Sequence, residues 1–114
     1  MGMTNEMIAK IIMVAPKQEA EVKVVDISFG KKQVEKLLGG ETVATVPYSD
    51  PVAFVLRFYA KEDGLPHNRT LVGEDGQVMD VLAGPFVIVP LVEKDDPRYD
   101  ELLQKYLEMF KKPE

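Results

Sequence analysis

A chain of 114 residues, 46% hydrophobic and 29% charged, is long enough for one domain with its own core and too apolar for a disordered segment. It has no cysteine, which excludes disulfides, thiolate metal sites and cysteine nucleophiles. The net charge is −5, and residues 41–92 carry seven acids against three bases. The sequence therefore shows no basic stripe that could bind the phosphates of a nucleic acid, and we expect no nucleic-acid partner.

The N-terminal third predicts a β-hairpin followed by a short helix. Residues 7–16 and 21–27 are rich in Ile and Val and flank a polar stretch, which is the pattern of two antiparallel strands. A helix over about 30–39 follows, because apolar residues recur at helical spacing and Ser28 can cap the first turn. A double glycine at 39–40 can end this helix in the left-handed conformation.

The middle of the chain predicts further strands around one irregular segment. Residues 64–77 lack a clear period, so we expect a long loop of the kind that often carries function, with a hairpin turn at 73–77. The predicted strands on either side are 42–46, 52–59, 77–82 and 85–92.

Residues 97–111 predict an amphipathic helix. Asp96 can cap it and Pro97 suits its first position. Its apolar stripe is expected to be core and consists of Tyr99, Leu102, Leu103, Tyr106, Leu107 and Phe110. The predicted fold is therefore α+β, a mainly antiparallel or mixed β-sheet with both helices packed on it, in one domain over residues 1–114.

Nothing in the sequence indicates a membrane protein. The longest apolar run, residues 81–92, is too short for a membrane helix and contains two prolines. The first residues lack the basic region and apolar run of a secretory leader. We expect a cytoplasmic monomer or small homo-oligomer with no membrane partner.

The pair Asn68–Arg69 is the main polar candidate for binding. An amide beside a guanidinium can bind a carboxylate, a phosphate or a purine edge. The structural alternative is that Asn68 caps a turn through its own backbone while Arg69 pairs with Asp75 or Asp80 across the following hairpin.

Other polar residues give weaker signals. His67 is the only histidine, and both serines are already assigned to a cap and a turn, so we expect no nucleophilic pair. Asp63, Asp75 and Asp80 could together bind a divalent ion, but their spacing matches no calcium or paired-carboxylate motif. Gly84 precedes a proline and indicates a backbone that needs space, either for a ligand or at a sheet corner.

Four stretches of the sequence resemble one protein family over nearly the whole chain: DPVAFVL (50–56), GLPHNRTL (64–71), EDGQVMDVLAGPFVIV (74–89) and LLQKYLEMF (102–110). They look like the domain-of-unknown-function family 3846. Its members are small proteins or modules carried by bacteriophages, plasmids and conjugative elements, mainly of Firmicutes. The resemblance implies a mobile-element protein and no activity. The matching positions are Asn68, Arg69, Asp75, Gly76, Asp80 and Gly84, whereas His67 and Pro85 depart from the family pattern.

Three functional hypotheses follow. The favoured one is a non-enzymatic accessory protein that binds a host or element protein, with the loop around Asn68–Arg69 as the contact surface and Arg69 or Tyr59 as a buried anchor. The alternative is capture of a small nucleotide-like anion by Asn68 and Arg69 in an apolar pocket. The third is a metal-dependent hydrolase. We expect no cofactor, no resident metal and no catalytic residue, and the expected binding residues are Asn68, Arg69, Asp75, Asp80 and Gly84.

Overall fold

The computed structural model describes residues 8–26 and 30–114. Within these residues the chain forms seven strands and two helices. They are β1 (Ile8–Val14), β2 (Glu21–Asp26), α1 (Lys31–Leu38), β3 (Thr42–Thr45), β4 (Val52–Arg57), β5 (His67–Val72), β6 (Val78–Ala83), β7 (Phe86–Pro90) and α2 (Pro97–Met109). The predicted cap Ser28 and residues 7 and 27 of the predicted hairpin lie outside the described residues.

Five strands form one antiparallel sheet in the order β2-β1-β7-β4-β3. The hairpin predicted from the first two Ile/Val-rich runs is present, since β1 and β2 pair antiparallel. Strands β5 and β6 form a separate two-stranded antiparallel sheet. The predicted α+β fold, with a short helix and a C-terminal helix packed on antiparallel strands, is confirmed.

Helix α2 covers one face of the large sheet. Asp96 accepts the backbone N–H of Arg98 at 2.9 Å and Pro97 occupies the first turn, as the sequence predicts. The stripe of the helix is buried in the main core. There the ring of Phe54 stacks on that of Phe86 at 5.7 Å, and Phe110 meets both rings edge-on.

Helix α1 covers the opposite face of the sheet. Leu38 packs in a second cluster with Ile11, Val25 and Val87. The helix ends as predicted at Gly39, whose φ of 86° is left-handed and whose N–H donates to the carbonyl of Glu35. The large sheet is therefore sandwiched between the two helices, and its central strands are buried on both faces.

The predicted long loop over residues 64–77 is wrong for its central part, because residues 67–72 form strand β5. A register shift between His67 and Arg69 places Asn68 in a bulge, so two consecutive polar side chains, Asn68 and Arg69, are both buried. This breaks the alternation that marks a strand in the sequence. The hairpin turn predicted at 73–77 is present, with the N–H of Gly73 donating to the carbonyl of Gln77 at 2.8 Å.

Candidate binding site on the β5–β6 hairpin

Asn68 attaches the small sheet to the large one. Its side chain has no solvent exposure, and its Nδ2 donates to the carbonyl of Val14 at 2.9 Å and to that of Gly84 at 2.8 Å. The expected turn cap through its own backbone is wrong, since the amide bonds to the ends of β1 and β6 instead. Both amide hydrogens are used, so the group offers no donor to a ligand.

Arg69 is the largest fully buried side chain, with 1% of its surface exposed. Its Nη2 donates to the carbonyls of Gln18 at 2.6 Å and Phe110 at 2.8 Å, and its Nη1 donates to Oδ1 of Asn68 at 2.9 Å. Burial lowers the pKa of Arg69, and the carboxylate of Glu114 opposes that shift. A buried guanidinium is tolerated here because main-chain and amide oxygens satisfy its donors.

The structural alternative for Arg69 is also wrong. The guanidinium points into the body of the protein and bonds to carbonyl oxygens, rather than to Asp75 or Asp80 across the hairpin. It joins β5 to the β1–β2 turn and to the end of α2. Asn68 and Arg69 therefore hold the hairpin in place, and their contribution to binding a partner stays a prediction.

Gly84 completes this buried cluster. Its carbonyl accepts from Asn68, its N–H donates to the carbonyl of Pro66 at 2.8 Å, and its φ is 73°. A Cβ on Gly84 would lie 2.7 Å from Cδ1 of Leu65. The space beside Gly84 is thus filled by the protein itself, and glycine is needed there because other residues rarely adopt this φ.

The two aspartates of the predicted site lie elsewhere. Asp75 is in the β5–β6 turn, where its Oδ1 accepts the N–H of Gln77 at 3.0 Å. Asp80 is on β6, where its Oδ1 accepts the N–H of Val81 at 2.7 Å and lies 3.9 Å from Nζ of Lys61. The structure therefore brings Asn68, Arg69 and Gly84 together and leaves both carboxylates on the surface.

Carboxylates lie over both outer edges of the small sheet. Thr70 of β5 lies opposite Val81 of β6, and the backbone N–H groups of this pair point away from the partner strand rather than toward it. The N–H of Thr70 donates to Oε2 of Glu114 at 2.9 Å, and that of Val81 donates to Asp80. Glu114 and Asp80 thus cover main-chain donors that would otherwise be open to another strand.

A groove between β4 and β6 was missed by the sequence analysis. It has a volume of about 230 Å³ and we call it the β6 groove. Its apolar walls include Val43, Leu56, Phe58, Val81, Leu82 and Ala83, and its charged walls are Arg57, Lys61, Glu62 and Asp80. Phe58 is 53% exposed, and Val81 of β6 is 41% exposed. The sequence signal was present in VMDV, where apolar residues occupy both faces of a strand.

A polar cluster fixes the far end of the hairpin. Tyr48 donates its hydroxyl to the carbonyl of Val72 at 2.9 Å. Lys105 and the hydroxyl of Tyr106 both donate to Oδ2 of Asp50, and these two bonds, the lysine's first, lower the pKa of Asp50. Burial, followed by the bond to Asp50, raises the pKa of Tyr106 far above its usual range. Loop 47–51 is thereby bonded to both α2 and β5.

A family model described as "Domain of unknown function (DUF3846)" matches residues 9–111. The chain belongs to this family. The resemblance seen in the four sequence stretches is thereby confirmed. No curated protein and no solved structure matches the chain.

The described part of this DUF3846 domain has neither a cluster of metal ligands nor a helix that could span a membrane. Residues 8–26 and 30–114 contain no group of three His, Asp or Glu side chains that could hold a metal ion. Instead Asp63 pairs with Arg57 at 2.6 Å, while Asp75 and Asp80 cap backbone N–H groups. No helix in the same part of the chain is long and apolar enough to cross a membrane.

Proposed function

We propose that the protein is a non-enzymatic accessory protein of a mobile genetic element, which acts in the cytoplasm by binding a host or element protein through the β6 groove. The observation that carries this proposal is the exposure of the apolar side chains of Phe58 and Val81 in the wall of an open groove. The mobile-element setting rests on the kind of protein that the family resemblance implies.

The groove has the features of a protein contact. Contiguous apolar patches on the surface of a protein often mark interaction sites. The rings of Phe58 and Tyr59 lie 4.7 Å apart and both are about half exposed, and exposed aromatic rings often anchor interfaces. We keep Tyr59 as the anchor residue expected from the sequence. Arg69 is buried and cannot contact a partner at the surface, so its proposed role is to hold the β5–β6 hairpin in place.

The partner should insert side chains rather than add a strand to β6. Strand addition needs the outward N–H groups of an edge, and Asp80 already accepts the outward N–H of Val81. Side-chain insertion needs only the groove, where aliphatic and aromatic side chains lie beside four charged ones. We therefore propose a partner that presents an apolar side chain to Val81 and Phe58.

The two other hypotheses have less support. Anion capture by Asn68 and Arg69 would need free donors, and theirs are bonded to protein oxygens. A metal-dependent hydrolase would need carboxylates within reach of one ion, and Asp63, Asp75 and Asp80 each have separate partners.

Site-specific photocrosslinking tests the proposal. Benzoylphenylalanine at position 81 should capture a discrete polypeptide from a bacterial lysate. The same group at position 24 is the matched control, because Val24 is 61% exposed on the edge strand β2, four strands away from β3. Phe58→Lys should abolish the adduct at position 81.

Two results would count against the groove. One is the absence of an adduct at position 81 in lysates of hosts that carry such elements, and the other is the same adduct at positions 24 and 81. Native mass spectrometry of the recovered protein separates the alternatives further. A bound polypeptide agrees with the proposal, and extra mass of metabolite size in its place would favour ligand capture.

A further inference from the structure

The side chain of Glu114 is held by three donors that converge on its two carboxylate oxygens. The N–H of Thr70 donates to Oε2 at 2.9 Å, and the hydroxyl of Thr70 donates to Oε1 at 2.8 Å. Nε2 of His67 lies 2.9 Å from Oε1, and because a carboxylate only accepts, this nitrogen carries the proton of the contact. Both oxygens are thus bound, as in a site built for a carboxylate.

The backbone of β5 explains why such a site exists at this position. Among residues 8–26 and 30–114, β5 pairs only with β6, and the N–H of Thr70 faces the other edge of the strand, where no described strand lies. Behind it the buried guanidinium of Arg69 supplies positive charge close enough for the Glu114 carboxylate to affect its pKa. The bond from the Thr70 N–H is the largest cause that lowers the pKa of Glu114.

A cavity of about 290 Å³ lies beside the bound carboxylate. Tyr48, Val72 and Met109 give it apolar walls, and Lys112 adds a cation. This volume is close to the lower limit of ordinary ligand pockets. An aliphatic body attached to the carboxylate would fit between these side chains.

Glu114 reaches the site through an irregular segment. Residues 111–114 form neither helix nor strand and are exposed. A group that is tethered by a short segment has an effective concentration on the order of millimolar. A competing carboxylate needs only a moderate advantage from the neighbouring cavity to replace Glu114.

We propose that Thr70 and His67 form a carboxylate-binding site, which Glu114 fills within the chain and which also accepts the carboxylate of an aliphatic acid or of an acidic side chain from another molecule. Arg69 and Lys112 favour the negative charge, and the cavity accommodates the body of the ligand. The site lies on the β5 edge, across the hairpin from Val81, so it is independent of the β6 groove.

Amide chemical shifts of the full-length Glu114→Ala variant test the site directly. Two probes are used: glutarate, a free dicarboxylic acid, and N-acetylglutamate N-methylamide, a glutamyl residue in peptide form. We expect saturable shifts of the Thr70 amide, with little change at Val24 on β2, the edge strand of the other sheet. The native protein should need at least about tenfold more probe, because tethered Glu114 competes. Stronger binding of glutarate points to a free acid as the natural source, and stronger binding of the peptide probe points to an acidic side chain.

Two controls make the result decisive. N-acetylglutamine N-methylamide has the same shape without the charge and should not saturate the site. Thr70→Val in the Glu114→Ala background removes one hydrogen bond to a charged group, keeps a β-branched side chain and should weaken binding by roughly tenfold. The proposal is overturned if the Thr70 amide does not respond, if the neutral probe binds equally, or if a folded Thr70→Val variant binds as well as its parent.

Discussion

Replacement of Arg69 by alanine should destabilise the protein strongly although no charged partner is lost. The guanidinium bonds to the carbonyl of Phe110 and to Oδ1 of Asn68 in the interior, and to the carbonyl of Gln18 in a part-buried contact. Alanine leaves these three acceptors without donors, and the side chain that is removed is 1% exposed. The β5–β6 hairpin would lose its bonds to the β1–β2 turn and to the end of α2.

The magnitude follows from those three acceptors. An unsatisfied buried acceptor costs about 1–3 kcal/mol, and loss of the side chain leaves a cavity as well. Part of this loss is offset, because burying the Arg69 cation costs the native protein several kcal/mol of desolvation energy and the alanine variant has no such cost. We expect a net loss of about 3 kcal/mol in the free energy of unfolding, a large share of the 5–15 kcal/mol typical of a domain. At this chain length that corresponds to a fall of roughly 10 °C in Tm.

Urea unfolding followed by circular dichroism measures this loss, with amide exchange as a local readout. Arg69→Lys should recover only part of the stability, because an ammonium cannot bond to the three acceptors with the fork geometry of arginine. Arg98→Ala is the matched control, since Arg98 is exposed and bonds to Asp96 in its own helix. It should leave the unfolding midpoint almost unchanged.

The proposed role of Arg69 would be refuted by an Arg69→Ala variant that unfolds within about 1 kcal/mol of the native protein. Full stability of Arg69→Lys would equally refute it, because charge alone would then suffice. If the loss is as expected, amides of β5 and β6 should lose protection before those of β1 and β7. Uniform loss across both sheets would contradict an effect centred on the hairpin.

Three further results are expected. Gly84→Ala should lower the free energy of unfolding by about 1–3 kcal/mol in the same urea assay, and by more than Gly76→Ala does. Both glycines have positive φ, but of the two only Gly84 would bring a Cβ close to another atom, Cδ1 of Leu65 at 2.7 Å. An equal loss in the two variants would show that φ alone matters. The lowered pKa of Asp50 means that its bonds stabilise the fold at pH above the ordinary aspartate pKa of 3.8, and that this stability is lost as pH falls through the lower pKa of the folded state. Asp50→Asn should therefore flatten the pH dependence of Tm below about pH 4. An unchanged slope would contradict this expectation. Asp80→Ala uncovers the backbone N–H of Val81 at the outer edge of β6, so self-association measured by sedimentation should increase without a large change in Tm. A variant as monodisperse as the native protein would argue against protection of this edge by Asp80.

Local sequence patterns identified most of the secondary structure. Helix α2 was predictable because Asp96, Pro97 and a six-residue apolar stripe all act within one segment. The end of α1 was predictable for the same reason, since Gly39 needs no distant partner to adopt its left-handed conformation. Residues whose role is set by their neighbours along the chain can be assigned from sequence.

The candidate site was only partly predictable. Asn68 and Arg69 were correctly singled out as unusual, but their partners are the carbonyls of Val14, Gln18 and Phe110, and a main-chain carbonyl leaves no mark in a sequence. The bulge at Asn68 also disrupted the period of β5. The β6 groove was missed because its walls come from three strands distant in sequence.

The bonds of Arg69 also affect when the protein can finish folding. They join residue 69 to Gln18, 51 positions earlier, and to Phe110, 41 positions later. During synthesis the β1–β2 turn and β5 leave the ribosome well before the end of α2. Such distant contacts slow folding, because the chain entropy of closing long loops is lost before the contacts form. The β5–β6 hairpin can therefore reach its final position only after the chain has been made as far as Phe110. A translation product that stops earlier would leave the guanidinium of Arg69 without the carbonyl of Phe110.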